Sequence, residues 1–124
     1  MLGGLFGEGI DLSGNELIGA VIVSPGLPGI SLERELIRDH FDRAVGAGFD
    51  FAYRYPGMNK VVQAAGRVIR GEKDRGITLF VGDRFASPAY RALLPRPVGH
   101  IRQWTNADTL HRDALQFWNS DEKK

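Results

Sequence analysis

Two short stretches of the chain are almost entirely apolar and rich in β-branched residues. They are LIGAVIVS at residues 17–24 and ITLFVGD at residues 77–83. A continuous apolar run of this length is typical of a strand that is covered on both faces, as in a parallel sheet. We therefore predict two buried strands. A short apolar piece at the start of the glycine-rich stretch 3–15 is a candidate for the end of a third.

We predict helices between and after these strands. The indications are apolar residues at helical spacing, or residues typical of helix ends. The predicted helices cover residues 32–46, about 57–70, a short stretch after Pro88, and 106–118. Ser31 is a suitable N-cap for the first helix, and Gly46 is a suitable end. Gly71 would end the second helix. Strands that alternate with helices predict an α/β fold with a small, mostly parallel sheet flanked by helices.

Aromatic residues alternate with other residues in GFDFAYRYPG, at Phe49, Phe51, Tyr53 and Tyr55. An alternation of period two favours a strand or extended segment with one buried face. The alternative is a platform beside Arg54 on which nucleic-acid bases stack.

Composition narrows the function classes only slightly. The chain has 124 residues, a formal net charge of +1 and no cysteine, which excludes disulfides and thiolate-ligated metal centres. The three histidines lack the spacing of a metal site. No apolar run approaches the ~20 residues of a membrane span, and no signal peptide is recognisable. A cytoplasmic location is therefore the expectation, and the total charge gives no argument for nucleic acid as a partner.

The second predicted helix has two distinct faces when it is drawn with 100° per residue. Its apolar third carries Met58, Val61, Val62, Ala65, Val68 and Ile69, and its opposite arc carries Asn59, Gln63, Gly66, Arg67 and Arg70. A glycine inside a helix costs about 1 kcal/mol relative to alanine. Arg67 and Arg70 can converge on one target, and guanidinium groups match phosphate oxygens as a bidentate fork. This pattern has two interpretations. The first is a clamp in which both arginines bind a phosphate group, and the second is a solvated helix face on which the glycine is incidental.

The stretch QAAGRVIRGEKDRGITLFVGDRF resembles motif VI, and the strand after it, of superfamily 2 DNA helicases of the Rad3/XPD/DinG type. The matching positions are Gln63, Gly66, Arg67, Ile69, Arg70, Asp74, Gly76, Asp83, Arg84 and Phe85. Upstream, LFGEGIDLSGNELIGAVIVSPGLP is similar to motif V of the same family, with Gly7 at a position where tryptophan is frequent. The resemblance covers roughly residues 3–97, and two linked motifs in the right order are far more specific than one short motif.

This resemblance implies the C-terminal part of a RecA-like lobe, which with a first lobe encloses ATP. Arg67 and Arg70 would be arginine fingers that stabilise the charge developing on the γ-phosphate. Gln63 and Gly66 would lie at the same ATP cleft. Asp11, together with the Gly9 backbone, would lie near the nucleotide sugar or couple ATP to DNA. For Asp83 and Arg84 we expect structural roles, as a turn at the strand end and an ion pair.

Parts of a complete helicase are missing from this sequence. It contains no Gly-Lys dipeptide, so it has no phosphate-binding loop, and DEKK at residues 121–124 lacks the apolar strand that a magnesium-binding acid pair follows. We therefore expect residues 1–97 to be part of the second helicase lobe and residues 98–124 to be a connector, a helix and a frayed tail. The first lobe and single-stranded DNA would be its partners, with no membrane association. ATP with magnesium would bind the complete enzyme and not this chain alone.

Two other functions are compatible with the sequence. The first is a non-catalytic module, derived from such a lobe, that binds single-stranded nucleic acid or protein. The second is an unrelated α/β domain that binds phosphate tightly by itself.

Overall fold

The computed structural model describes residues 17–71, 73–95 and 101–120, and its sheet consists of two parallel strands. Strand β1 covers Gly19–Val23 and β2 covers Ile77–Val81, with Gly19 opposite Ile77 and Val23 opposite Val81. Beyond the last pair, the Ser24 amide donates to the Val81 carbonyl at 2.8 Å. The predicted small parallel sheet with flanking helices, a partial RecA-like α/β lobe, is confirmed.

Helix α1, Leu32–Val45, begins the crossover between the strands and has the caps that the sequence predicts. The Ser31 hydroxyl accepts a hydrogen bond from the Arg34 amide at 3.2 Å. Gly46 adopts a left-handed conformation with φ 67°, which glycine enters without a side-chain clash, and its amide bonds to the Asp42 carbonyl.

The aromatic segment after α1 is helical, so the strand or extended segment predicted there is wrong. One π-helical turn, Asp50–Arg54, continues directly into helix α2, Tyr55–Ala65. Residues that alternate with period two also include pairs four positions apart, and such pairs are neighbours on a helix. The Phe49 and Tyr53 rings accordingly lie 5.6 Å apart, and the Phe51 and Tyr55 rings lie 5.1 Å apart.

Three helices follow β2 in the described part of the chain. They are α3 at Asp83–Ala86, α4 at Pro88–Arg91 and α5 at Ala107–Asn119. The Asn106 side chain caps α5 by accepting from the Asp108 amide at 2.7 Å. The predicted short helix after Pro88 and the predicted last helix are both confirmed.

The core lies where α2 and the segment α3–α4 meet one face of the sheet. Its buried members are Ile22, Met58, Val61, Ala65, Phe85, Tyr90 and Leu94. Met58 and Val61 have the largest fully buried side chains. These contacts fix the orientation of α2, and therefore of the residues that follow its end.

The prediction that both strands are buried on both faces is wrong for the described residues. Ile22 is 3% exposed, but its neighbours Val21 and Val23 are 63% and 70% exposed. Side chains alternate between the two faces of a strand, and the core covers only the face to which Ile22 points. In β2 the side chains from Ile77 to Phe80 are partly exposed and Val81 is exposed.

Candidate functional site at the end of helix α2

Helix α2 ends at Ala65, and not at Arg70 as the sequence predicts. The Gly66 amide still bonds to the Val62 carbonyl, at 2.9 Å, as in an α-helix. The next two amides, of Arg67 and Val68, instead bond to carbonyls three residues earlier, at 3.3 and 3.1 Å, which tightens the last turn. Gly66 is therefore the C-terminal cap of α2, so the cost of a glycine in a helix interior does not apply to it in full.

The two faces predicted for this segment are largely present in spite of the earlier end. Met58, Val61, Ala65 and Val68 are buried, whereas Asn59, Gln63, Gly66 and Arg70 are exposed and Arg67 is half-buried. Val62 departs from the predicted apolar stripe, with 37% of its surface exposed. Gln63 and Gly66 thus lie exposed at the end of α2, and the two arginines follow in the turn after the helix, where Arg67 is half-buried and Arg70 is exposed.

The backbone at Gly66 is exposed. Apart from its chain neighbours, a Cβ atom built there would meet two atoms of the described residues, the carbonyl oxygens of Val62 at 3.3 Å and Gln63 at 3.7 Å. Both atoms belong to the turn of α2 that precedes Gly66. Its φ of −65° is ordinary for any residue. The backbone conformation therefore does not require a glycine here, and a methyl group would need the Val62 carbonyl to move by a few tenths of an ångström. A ligand that approaches the backbone closely would require a glycine.

Asp74 closes the turn that follows the two arginines. One of its carboxylate oxygens accepts hydrogen bonds from the Arg70 and Gly71 amides, each at 2.8 Å. The Asp74 amide in turn donates to the Gly71 carbonyl at 3.1 Å. The hydrogen bonds from Arg70 and Gly71 lower the pKa of Asp74 because they stabilise its charged form. At neutral pH this carboxylate therefore holds the Arg70 backbone in place.

Gly76 anchors the other end of the turn beside the sheet. A Cβ atom at this position would lie 2.3 Å from Val68 Cγ1 and 3.0 Å from the Ile18 carbonyl oxygen. Only a residue without a side chain fits between Val68 and the start of β1. The segment 67–76, which we call the arginine turn, is thus fixed to α2 at one end and to the sheet at the other. Asp74 and Gly76 are among the residues that match motif VI, but the sequence alone indicated no role for either of them.

Arg54, the arginine within the aromatic segment, has a different environment. Its guanidinium group pairs with Asp50 and lies 5.0 Å from the centre of the Tyr90 ring and 5.5 Å from that of Phe49. Phe51 stacks on Phe41 at 4.0 Å, so one of its faces is occupied. The base-stacking platform suggested by the aromatic pattern stays a prediction.

Other predicted site features are placed only in part. Gly9 and Asp11 lie outside the described residues. Asp83 begins α3 directly after Gly82, as expected for a turn at the strand end. Residues 17–71, 73–95 and 101–120 contain no cluster of three histidine or acidic side chains suited to a metal ion. In the same part of the chain, every helix is too short or too polar to cross a bilayer.

Most of the chain matches a known protein family. The protein family described as the helicase C-terminal domain matches residues 1–100 of the chain. The match includes both strands, the crossover between them, Gly66 and the whole arginine turn. Helix α5 lies beyond it.

Proposed function

This chain belongs to the helicase C-terminal domain family of Rad3/XPD/DinG-type helicases, and we propose that it supplies half of an ATP site. The other half is a first RecA-like lobe, which carries the phosphate-binding loop and the acid pair for magnesium. In this proposal the two lobes together form an ATP-dependent helicase that moves on single-stranded DNA. The observation that carries the proposal is the exposed backbone at Gly66, directly before the arginine turn that contains Arg67 and Arg70.

Arg67 and Arg70 are the proposed arginine fingers. Their guanidinium groups would offer paired N–H donors to the γ-phosphate oxygens of ATP held by the first lobe. Negative charge spreads over those oxygens during phosphoryl transfer, so fixed positive charge there lowers the barrier. Gly66 would let the phosphate approach the end of α2, and Gln63 would add a polar contact.

The fixed shape of the arginine turn supports this assignment. A group that stabilises a transition state is most effective when it is already in position, because no reorganisation is then needed during the reaction. The Asp74 carboxylate holds the backbone of Arg70, and Gly76 joins the turn to β1. Asp11 and the Gly9 backbone are proposed as further ATP contacts on the basis of motif V alone.

The test is ATP hydrolysis by the two lobes together, with the first lobe of a related helicase fused to or co-expressed with this chain. Arg67→Ala and Arg70→Ala should each lower kcat strongly, towards the factor of about 10³–10⁵ known for arginine fingers. Arg67→Lys should recover only part of the loss, since lysine keeps the charge without the planar fork. The matched control is Arg43→Ala, which removes an exposed arginine from α1.

Two results would contradict the proposal. If Arg67→Ala and Arg70→Ala keep the wild-type kcat, neither residue is an arginine finger. If this chain alone hydrolyses ATP, and Arg67→Ala abolishes that activity, then no first lobe is required for hydrolysis. If the two-lobe protein hydrolyses no ATP while the chain alone binds single-stranded DNA, the chain is a non-catalytic binding module.

A further inference from the structure

Arg75 joins the arginine turn to the end of helix α5. Its guanidinium carbon lies 4.3 Å from the centre of the Phe117 ring and 5.4 Å from that of Trp118. Its Nη2 donates a hydrogen bond to the Ser120 hydroxyl at 3.0 Å. That hydroxyl also donates to the Phe117 carbonyl at 2.8 Å. We call these four residues the Arg75 contact.

The charge of Arg75 suits its position. The carbonyl groups at the end of a helix carry partial negative charge, which a nearby cation stabilises. Helix α5 has no basic residue in its last turn. Arg75, from another part of the chain, provides that cation and also lies close to two aromatic rings that attract it.

Helix α5 is held at a second point, near its middle. The Asp113 carboxylate accepts hydrogen bonds from Trp104 Nε1 at 3.0 Å and from Arg102 Nη1 at 3.3 Å. Both donors belong to the connector before α5. The connector therefore holds the middle of α5, and the Arg75 contact joins its end to the arginine turn.

We propose that Arg75 is a positioning residue, through which α5 restrains the arginine turn and so holds Arg67 and Arg70 in place. Arg75 immediately follows Asp74, whose carboxylate binds the Arg70 and Gly71 amides, and immediately precedes Gly76. A restraint on the Arg75 side chain therefore acts on the backbone that holds Arg70. Because α5 lies beyond residues 1–100, this restraint comes from outside the part matched to the helicase family.

Amide hydrogen exchange in the complete 124-residue chain tests the restraint directly, by NMR at single residues. In Arg75→Ala the Arg70 and Gly71 amides should exchange about fivefold faster, since an exposed cation–π contact contributes on that scale. Phe117→Leu, which keeps apolar volume but removes the ring, should act in the same direction. Lys73→Ala is the matched control, because it removes a positive charge from the same turn without touching α5.

The amides of Ile22 and Val61 separate a local effect from general destabilisation, since both residues belong to the core. Their exchange should not change in Arg75→Ala. Unchanged exchange at Arg70 and Gly71 would overturn the proposal, and so would equal acceleration at all four amides. Neither result requires ATP, so both are independent of the proposed function.

The catalytic consequence does rest on the proposed function and is measured with the first lobe present. Arg75→Ala should lower kcat by up to about fivefold, the same factor as for hydrogen exchange, and leave KM nearly unchanged, because the fingers act mainly on the transition state. Arg75→Lys should restore part of kcat, since it keeps the cation beside the rings. A wild-type kcat in Arg75→Ala, with Arg67→Ala inactive, would overturn the positioning role and leave the finger assignment intact.

Discussion

Replacement of Gly76 by alanine tests the packing that anchors the arginine turn. The new methyl carbon would lie 2.3 Å from Val68 Cγ1, whereas carbon atoms in ordinary contact are about 3.5–4.0 Å apart. One of the two groups must therefore move by more than an ångström. The second close atom, the Ile18 carbonyl oxygen at 3.0 Å, belongs to backbone and accepts a hydrogen bond from the Ile77 amide.

The expected loss of folding stability depends on how far Val68 and Ile18 can move. Val68 is buried, and its branched side chain has few low-energy rotamers, so moving Cγ1 costs about 0.5–1.5 kcal/mol. A shift at Ile18 would strain its 3.0 Å hydrogen bond with Ile77. An extra methyl group in a well-packed core usually costs about 1–3 kcal/mol, and we expect about 2 kcal/mol here.

Urea unfolding followed by circular dichroism measures this change. With a slope of about 1–3 kcal/mol per molar urea, the midpoint of Gly76→Ala should fall by about 1 M. Gly29→Ala is the matched control, because among the described residues, its chain neighbours apart, no atom lies within 4 Å of the Cβ that it adds. In Val68→Ala/Gly76→Ala, the space left by the shorter side chain should accept the new methyl group. The double variant should therefore lose less stability than the sum of the two single losses. A midpoint for Gly76→Ala equal to that of Gly29→Ala, or strict additivity, would refute the proposed collision.

Three further predictions concern caps and carboxylates. Ser31→Ala should lower the free energy of unfolding by about 1 kcal/mol in urea titrations, because the first turn of α1 loses its side-chain acceptor. The lowered pKa of Asp74 means that its stabilising effect is present above the unfolded-state pKa and disappears as the pH falls through the folded-state pKa. Asp74→Asn should therefore be less stable than the wild type at pH 7, and in acid-unfolding curves the difference should shrink as the pH falls through the folded-state pKa of Asp74. The hydrogen bond from Trp104 is the main cause of the lowered pKa of Asp113, so Trp104→Phe should raise that pKa in a carboxyl NMR titration.

Local signals in the sequence were sufficient for much of the fold. The caps at Ser31 and Gly46 depend on neighbouring residues only, and the helix ends that they predict are confirmed. The apolar runs located both strands. They did not tell how much of each strand is covered, because burial depends on which elements pack against a face. Val21 and Val23 show this, since their side chains are as apolar as that of Ile22 but lie mostly exposed.

At the candidate site, too, the sequence predicted some features correctly and missed others. The helical wheel placed Gly66 and the arginines away from the core, and in the structure Gly66 and Arg70 are exposed while Arg67 is half-buried. The end of α2 was predicted too late because Val68 and Ile69 continue the apolar spacing. Val68 is buried, but beyond the end of the helix, where the backbone has turned towards β2. The roles of Asp74 and Arg75 depend on contacts with the turn backbone and with α5, which the spacing of residues along the chain does not reveal.

The parallel pairing of β1 with β2 has a consequence for the order in which this chain folds. The whole crossover, residues 24–76, must be synthesised and brought back before the strands can pair, whereas α1 and α2 depend on nearby residues. Contacts between distant parts of a chain form slowly because the loop between them must first be closed. The arginine turn leads directly into β2 and rests on Ile18 through Gly76, so it should be among the last segments to become ordered. On a ribosome, the second strand is able to pair with the first once residue 81 has emerged, whereas the proposed restraint from α5 on the arginine turn forms only after residue 120 has emerged.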